Sequence, residues 1–297
     1  MCCGAALLLV MLAGGPARGQ PAEPDKNAIR HAEVALISRE LGARPGEPLR
    51  LGLLFKMKPG WHIYWNGFTT SGIPPTVDWN LPSGVTADDL EFPAPTRHVE
   101  PGEILDHIYE GRVLLPVTVH VPATAKPGEN LSIKGRVGYL VCSDVCVGEN
   151  ADVTLSIPIK EARDQAELAP ANRSIFQEFE AQLPRPLSPD DSTTAAWNGG
   201  AVTIASKGAS RLQFFPSHDS VDAVDLIKDG DAHGEQLTIR IAPDAPKNGV
   251  FEGVLTVTRG SDKASRSFVI RLTHDQPMNP GPNASKSGQA IVPAPKP

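Results

Sequence analysis

Four Pro-Gly steps in the first half of the chain, at Pro45-Gly46, Pro59-Gly60, Pro101-Gly102 and Pro127-Gly128, constrain what it can fold into more than any other feature. Proline pre-sets φ at the second position of a turn and glycine supplies a positive φ at the third, which is the type II signature. Between these steps lie short runs that alternate or carry β-branched residues: Ala32–Ile37, Leu49–Lys56, Trp61–Trp65, Thr76–Trp79, Arg112–His120, Asn130–Val141 and Asp152–Ile157. About seven short strands at this spacing suggest an immunoglobulin-like β-sandwich over residues 28–160, although without a Cys–Trp–Cys pattern only a sandwich follows from the residues themselves. The 27 glycines and 29 prolines speak against a helical bundle.

Residues 161–190 change character. Ile175, Phe176 and Phe179 form a small apolar stripe among Ala, Glu, Gln and Arg, which predicts one or two helical turns. Pro184, Pro186 and Pro189 then stop the helix, giving a helical and Pro-rich linker. Strand patterns return at Ala201–Ala205, Arg211–Phe215, Gln236–Ile241, Phe251–Thr258 and Ser267–Leu272, a second and smaller β domain over 191–275. In it Phe214, Phe215 and Phe251 read as core, and Trp197 as core or an interface. Residues 276–297 are rich in Pro, Gly, Ser and Asn and read as a disordered tail. The expected class is therefore all-β, two β domains joined by a short helical linker.

Residues 1–19 read as a secretory signal peptide, with an apolar run from Ala5 to Ala13 and small residues at Ala17 and Gly19 before the cleavage point. No stretch reaches the ~18 apolar residues of a membrane span, so the mature protein is expected to be exported, without a span of its own. A formal charge of −6 argues against nucleic acid as a partner. Removing the signal also removes Cys2 and Cys3, which leaves Cys142 and Cys146 as one pair in an oxidising compartment.

That pair is the chemical feature of the chain. A disulfide requires Cα atoms roughly 4.4–6.8 Å apart, whereas four steps of straight strand span roughly 13 Å. Bonding therefore requires a hairpin tip or a helical turn at Ser143-Asp144-Val145. Closing so short a loop stabilises by only about 2 kcal/mol in the chain-entropy model, so exchange chemistry is favoured over stapling. On residues alone a redox-active pair, a structural disulfide and a soft-metal Cu(I) site on Cys142 and Cys146 all stay open. No Lys or Arg lies between Gly138 and Asn150, while Asp144 and Glu149 flank the pair. Nearby carboxylates disfavour a thiolate, which fits a passive electron acceptor better than a strong oxidant. Asp144 has a plain reading as a solvated turn residue and a second as a tuner of the thiols.

An ordered set of motifs carries a resemblance. Trp61-His62-Ile63-Tyr64-Trp65 follows Pro59-Gly60; Ser71-Gly72-Ile73-Pro74 leads into Asp78-Trp79-Asn80-Leu81-Pro82; then come Tyr109-Glu110-Gly111, Val113-Leu114-Leu115-Pro116-Val117 and Tyr139-Leu140-Val141-Cys142 with Cys146. Together these resemble the N-terminal periplasmic domain of DsbD-type thiol–disulfide interchange proteins and the related copper-sensitivity suppressors, over roughly residues 30–160. The resemblance implies a periplasmic oxidoreductase whose redox pair is Cys142 and Cys146, with no cofactor. It also implies a membrane-embedded thiol electron donor, here a separate protein, and periplasmic thioredoxin-like or disulfide-containing clients. His62 and Tyr64 would stand beside the pair, and a shielding cap loop would fall within Arg97–Tyr109, bringing His107 and Tyr109 into the site environment. His98 and His107, flanking that cap, keep the Cu(I) alternative open. Strand alternation places Trp61, Ile63 and Trp65 on one face, toward a core, and turns His62 and Tyr64 the other way.

Overall fold

The computed structural model describes residues 30–246, 248–260 and 264–274. The signal peptide expected at 1–19 and the tail expected at 276–297 lie outside the described residues. From His31 onward the contacts form one unit, and no helix among the described residues is long and apolar enough to cross a membrane.

The first sandwich holds β1 (Ala32–Ser38), β2 (Pro48–Met57), β3 (His62–Tyr64), β4 (Thr76–Asn80), β5 (Thr86–Ala87), β6 (Thr96–Glu100), β7 (Ile104–Glu110), β8 (Arg112–His120), β9 (Asn130–Cys142) and β10 (Cys146–Pro158). One sheet runs β1-β2-β8-β5; the other runs β10-β9-β3-β7-β6, with β4 also paired to β9. The alternation legible in β9 sets the packing, because Leu131, Ile133, Val137, Tyr139 and Val141 all turn inward while the residues between them face out. They meet Leu51, Leu53 and Phe55 of β2 and Val113, Leu115 and Val117 of β8. The seven predicted strands are found as β1, β2, β3, β4, β8, β9 and β10, of which β10 begins earlier than predicted, at Cys146, while β5, β6 and β7 are not among the predicted strands. The stretch expected to be a cap loop, 97–109, is instead mostly a β-hairpin. Its turn is the Pro-Gly step itself, with φ of 94° at Gly102 and 63° at Glu103.

The linker forms helix α1 (Arg173–Glu180), which buries Phe176 and Phe179 in the first core. An isolated helix of this length is marginal in water, so this packing stabilises it. The Asn172 side chain donates to the Ser38 carbonyl at 2.8 Å and fixes where it starts.

The second sandwich holds β11 (Arg185–Pro186), β12 (Thr193–Asn198), β13 (Ala201–Ser206), β14 (Ala209–Pro216), the short helix α2 (Leu226–Asp229), β15 (Asp231–His233), β16 (Gln236–Arg240), β17 (Val250–Arg259) and β18 (Ala264–Thr273). Its sheets run β11-β18-β17-β14-β15 and β12-β13-β16. Trp197, Phe214 and Phe251 fill its core. Phe215 does not. Consecutive strand residues face opposite ways, so Phe215 leaves that core and enters the first one. There it meets Trp65 and His107 edge-on, at ring-centroid distances of 6.2 and 5.2 Å. Two further ties join the sandwiches. The Phe68 N–H donates to the Pro216 carbonyl at 2.9 Å, and Arg97 donates to the carbonyls of Leu226 and Ile227 at 3.0 and 3.1 Å.

Candidate functional site

Cys142 ends β9 and Cys146 begins β10, and the two stand directly opposite each other across a hairpin whose turn is Ser143-Asp144-Val145. They are bonded to each other, with Cα atoms 4.1 Å apart. Of the two geometries that the spacing admits, the chain adopts the hairpin tip. The two sulfurs are not equivalent. Cys142 is 1% exposed, whereas Cys146 is exposed. Val145, just before it, is 61% exposed, and Asp144 is an exposed turn residue.

Register brings β3 under the pair. Cys142 is opposite His62 on one side of that strand, and Tyr64 is opposite Ile108 of β7 on the other. Directly opposed residues in a sheet share a face, so Cys142, His62, Tyr64 and Ile108 form one patch on the sheet's outer side. Ile63 and Trp65 point into the sandwich core, with Trp61 packed against its edge and stacked on His31. His62 and Tyr64 turn away from that core and are nonetheless buried, at 5% and 1% exposure. What covers Tyr64 is the segment 66–75, where Gly72 lies so close to the ring that a Cβ would sit 2.1 Å from Tyr64 Cδ1. Only glycine permits that approach.

The polar atoms here are connected. Tyr64 Oη lies 3.7 Å from Cys146 Sγ, 3.4 Å from Ser71 Oγ and 3.3 Å from His62 Nε2. Ser71 Oγ donates to Asp106 Oδ2 at 2.5 Å, and Asp106 Oδ1 accepts from the N–H groups of Thr70 and Ser71 at 2.7 and 3.0 Å. Burial, and then the neighbouring His98, hold the His62 imidazole below its ordinary pKa. Burial, with the Asp106 and Glu100 carboxylates adding to it, holds the Tyr64 phenol above its own. His62 is therefore a neutral ring at pH 7 and Tyr64 a protonated phenol. His98 of β6 lies against His62 at 5.3 Å between ring centroids and pairs with Glu100 at 3.0 Å.

His107 and Tyr109, expected near the cysteines, stand on the opposite face of β7. They alternate with Asp106 and Ile108, so a strand that turns those two toward the site turns His107 and Tyr109 away. Tyr109 is buried in the core, its hydroxyl donating to the Pro93 carbonyl at 2.5 Å. His107 donates from Nδ1 to the Phe68 carbonyl at 2.6 Å and packs against the second sandwich. Ser71 and Asp106 are the site residues that sequence reading missed. Asp106 carried a usable signal, since an aspartate in the middle of Ile-Leu-Asp-His-Ile is rare in a strand unless its carboxylate is satisfied. Among the described residues no group of three or more His, Cys, Asp or Glu side chains is arranged to hold a metal ion.

Residues 35–158 match the family model described as thiol:disulfide interchange protein DsbD, N-terminal. The match covers the first sandwich, contains both cysteines and stops before α1. Among solved structures, the N-terminal periplasmic domain of ScsB from Proteus mirabilis superposes with a TM-score of 0.53 at 16% identity, covering 85% of this chain and 96% of that one. The reduced N-terminal domain of Neisseria meningitidis DsbD gives a TM-score of 0.23 at 11% identity, covering 46% and 88%. No curated protein matches the chain. The family resemblance read from the motifs thus holds over the first sandwich, and the likeness to ScsB extends the shared fold across both.

Proposed function

We propose, from the match of residues 35–158 to the DsbD N-terminal family, that this chain is a periplasmic thiol–disulfide exchange protein whose attacked sulfur is Cys146. The carrying observation is the unequal exposure of the pair, because an attacking thiolate must reach one sulfur along the S–S axis and Cys142 is enclosed. In the reducing step, a thiolate of a separate membrane-embedded donor attacks Cys146 Sγ. The Cys142–Cys146 bond breaks, a donor–Cys146 mixed disulfide forms and Cys142 leaves as a thiolate. The donor's second thiolate then attacks its own sulfur in that mixed disulfide and releases Cys146. The donor is left oxidised and this chain holds two thiols. In the onward step the Cys146 thiolate attacks the disulfide of a periplasmic thioredoxin-like or other client, and Cys142 resolves the mixed disulfide. Two electrons pass each way and no cofactor takes part.

The test is trapping. In Cys142→Ser a mixed disulfide formed at Cys146 has no resolving thiol, so a stable covalent complex with a thioredoxin-like partner is expected. Cys146→Ser is expected to give none. A redox titration of the native pair complements this, with a midpoint above about −300 mV expected for an exchange-competent bond. A lower midpoint together with no trapped complex would make the bond a structural staple and overturn the reading.

A further inference from the structure

Hydrogen counting around Tyr64 assigns a role to two residues that the exchange reading alone does not use. A carboxylate offers only acceptors, and Asp106 already takes two backbone N–H bonds on Oδ1. The single Ser71 hydroxyl proton is therefore committed to Asp106 Oδ2, 2.5 Å away. Toward Tyr64, Ser71 Oγ is left as an acceptor. The phenol also has one proton, and two acceptors compete for it: Ser71 Oγ at 3.4 Å and Cys146 Sγ at 3.7 Å. His62 Nε2 lies 3.3 Å from the phenol oxygen, and in the tautomer that carries the imidazole proton on Nε2 it donates to that oxygen, which leaves the competition between two atoms.

The two acceptors differ between redox states. A disulfide sulfur is a weak acceptor, and a thiolate is a charged and strong one. We propose that Tyr64 is a redox-dependent hydrogen-bond switch, donating to Ser71 while Cys146 is in the disulfide and to the Cys146 thiolate once the bond is reduced. Ser71 and Asp106 are positioning residues of this switch. Asp106 fixes the direction of the Ser71 hydroxyl and holds residues 70–71 over the ring. The proton stays on the phenol oxygen throughout; only its direction changes. The inference rests on the exchange reading for its purpose, since a stabilised Cys146 thiolate is the species that leaves a donor and attacks a client. The charged and titratable groups facing this centre are His62 from β3, Asp106 and Glu110 from β7, and His98 and Glu100 from β6. The carboxylates among them disfavour a second negative charge, so the phenol is the donor that offsets them.

The experiment measures the apparent pKa of Cys146 from the pH dependence of iodoacetamide alkylation. It uses the full chain in a Cys142→Ser background, with the modified site read by peptide mass. Tyr64→Phe keeps the ring and removes the donor, and is expected to raise the Cys146 pKa by about one unit. Ser71→Ala removes the competing acceptor and is expected to lower it. Ser71→Thr keeps the hydroxyl and is expected to restore the parent value. Opposite signs for Tyr64→Phe and Ser71→Ala are the signature of competition for one proton. Shifts in the same direction, or no shift in Tyr64→Phe, overturn the switch. The readout needs no partner protein, so a failed exchange assay beside opposite pKa shifts would sink the exchange reading and leave the switch standing.

Discussion

Lowering the pH from 7 to 5 is predicted to loosen the junction between the two sandwiches through His107. The Phe68 carbonyl can only accept, so its 2.6 Å bond places the His107 proton on Nδ1. The other ring nitrogen, Nε2, is buried and has no hydrogen-bond partner. The ring meets the edges of Trp65 and Phe215. A second proton on Nε2 would bury a positive charge there with no acceptor. Burial accordingly pushes the His107 pKa from 6.5 down to about 4, against the favourable Phe68 carbonyl and with nearby Arg97 adding to the depression.

The sign follows from which state binds more protons. Between pH 6.5 and 4 the unfolded chain protonates this histidine and the folded chain does not, so stability falls as the pH falls. The contribution is fully present above 6.5 and is gone below about 4, a total of about 3 kcal/mol. From pH 7 to pH 5 it amounts to about 2 kcal/mol. His107→Asn keeps an N–H near the Phe68 carbonyl and cannot titrate. Urea unfolding of both proteins at the two pH values isolates the effect. The parent chain should lose about 2 kcal/mol relative to the variant on going to pH 5. A stability difference that is the same at both pH values would refute the argument.

Three further outcomes are expected. Arg97→Ala removes the guanidinium that reaches from β6 to the Leu226 and Ile227 carbonyls. It should cost about 2–3 kcal/mol in urea unfolding, and a loss below about 0.5 kcal/mol would make that contact incidental. Gly72→Ala places a methyl 2.1 Å from Tyr64 Cδ1, so the 66–75 segment must lift. Unfolding should come about 1–3 kcal/mol more easily and the Cys146 alkylation rate should change; an unaltered rate would show that the segment does not govern the site. Phe176→Ala empties a position 1% exposed beneath α1 and should cost about 3–5 kcal/mol. Hydrogen exchange should then rise first in residues 173–180, and uniform exchange would place the helix's support elsewhere.

The strands of the first sandwich were legible because their faces differ. β9 alternates over its whole length, so apolar periodicity marks both the strand and its inward side. Bond geometry narrowed the cysteine segment to a hairpin tip or a helical turn, and the pairing of β9 with β10 makes it a hairpin tip. β6 and β7 were not legible, for a physical reason. Arg97, Asp106 and His107 contact partners far away in sequence, namely α2, the 70–71 backbone, and Phe68 with Phe215, while His98 pairs with nearby Glu100 and lies against the distant His62. A polar run paired by distant atoms looks like a solvated loop when read locally. Phe215 misled in the same way, since hydrophobicity says that it is buried and nothing local says in which core.

Those long-range partners share a location. Segment 66–75 covers Tyr64 and is tied to Pro216 through Phe68. Strand β6 carries His98 against His62 and is tied to α2 through Arg97. Strand β7 carries Asp106 and Ile108 on its site face and presents His107 to Phe215 on the other. Each of the three elements that border β3 and the cysteine hairpin on this side therefore has one face on the redox pair's surroundings and one bond or ring contact on the second sandwich. Displacing Phe215 or Arg97 moves the backbone that positions Ser71, Asp106 and His98, because a strand cannot shift one face without the other. Substitutions at these two residues, neither of which touches a cysteine, should accordingly alter Cys146 reactivity as well as stability, and variants that lower stability alone would separate the second sandwich from the chemistry.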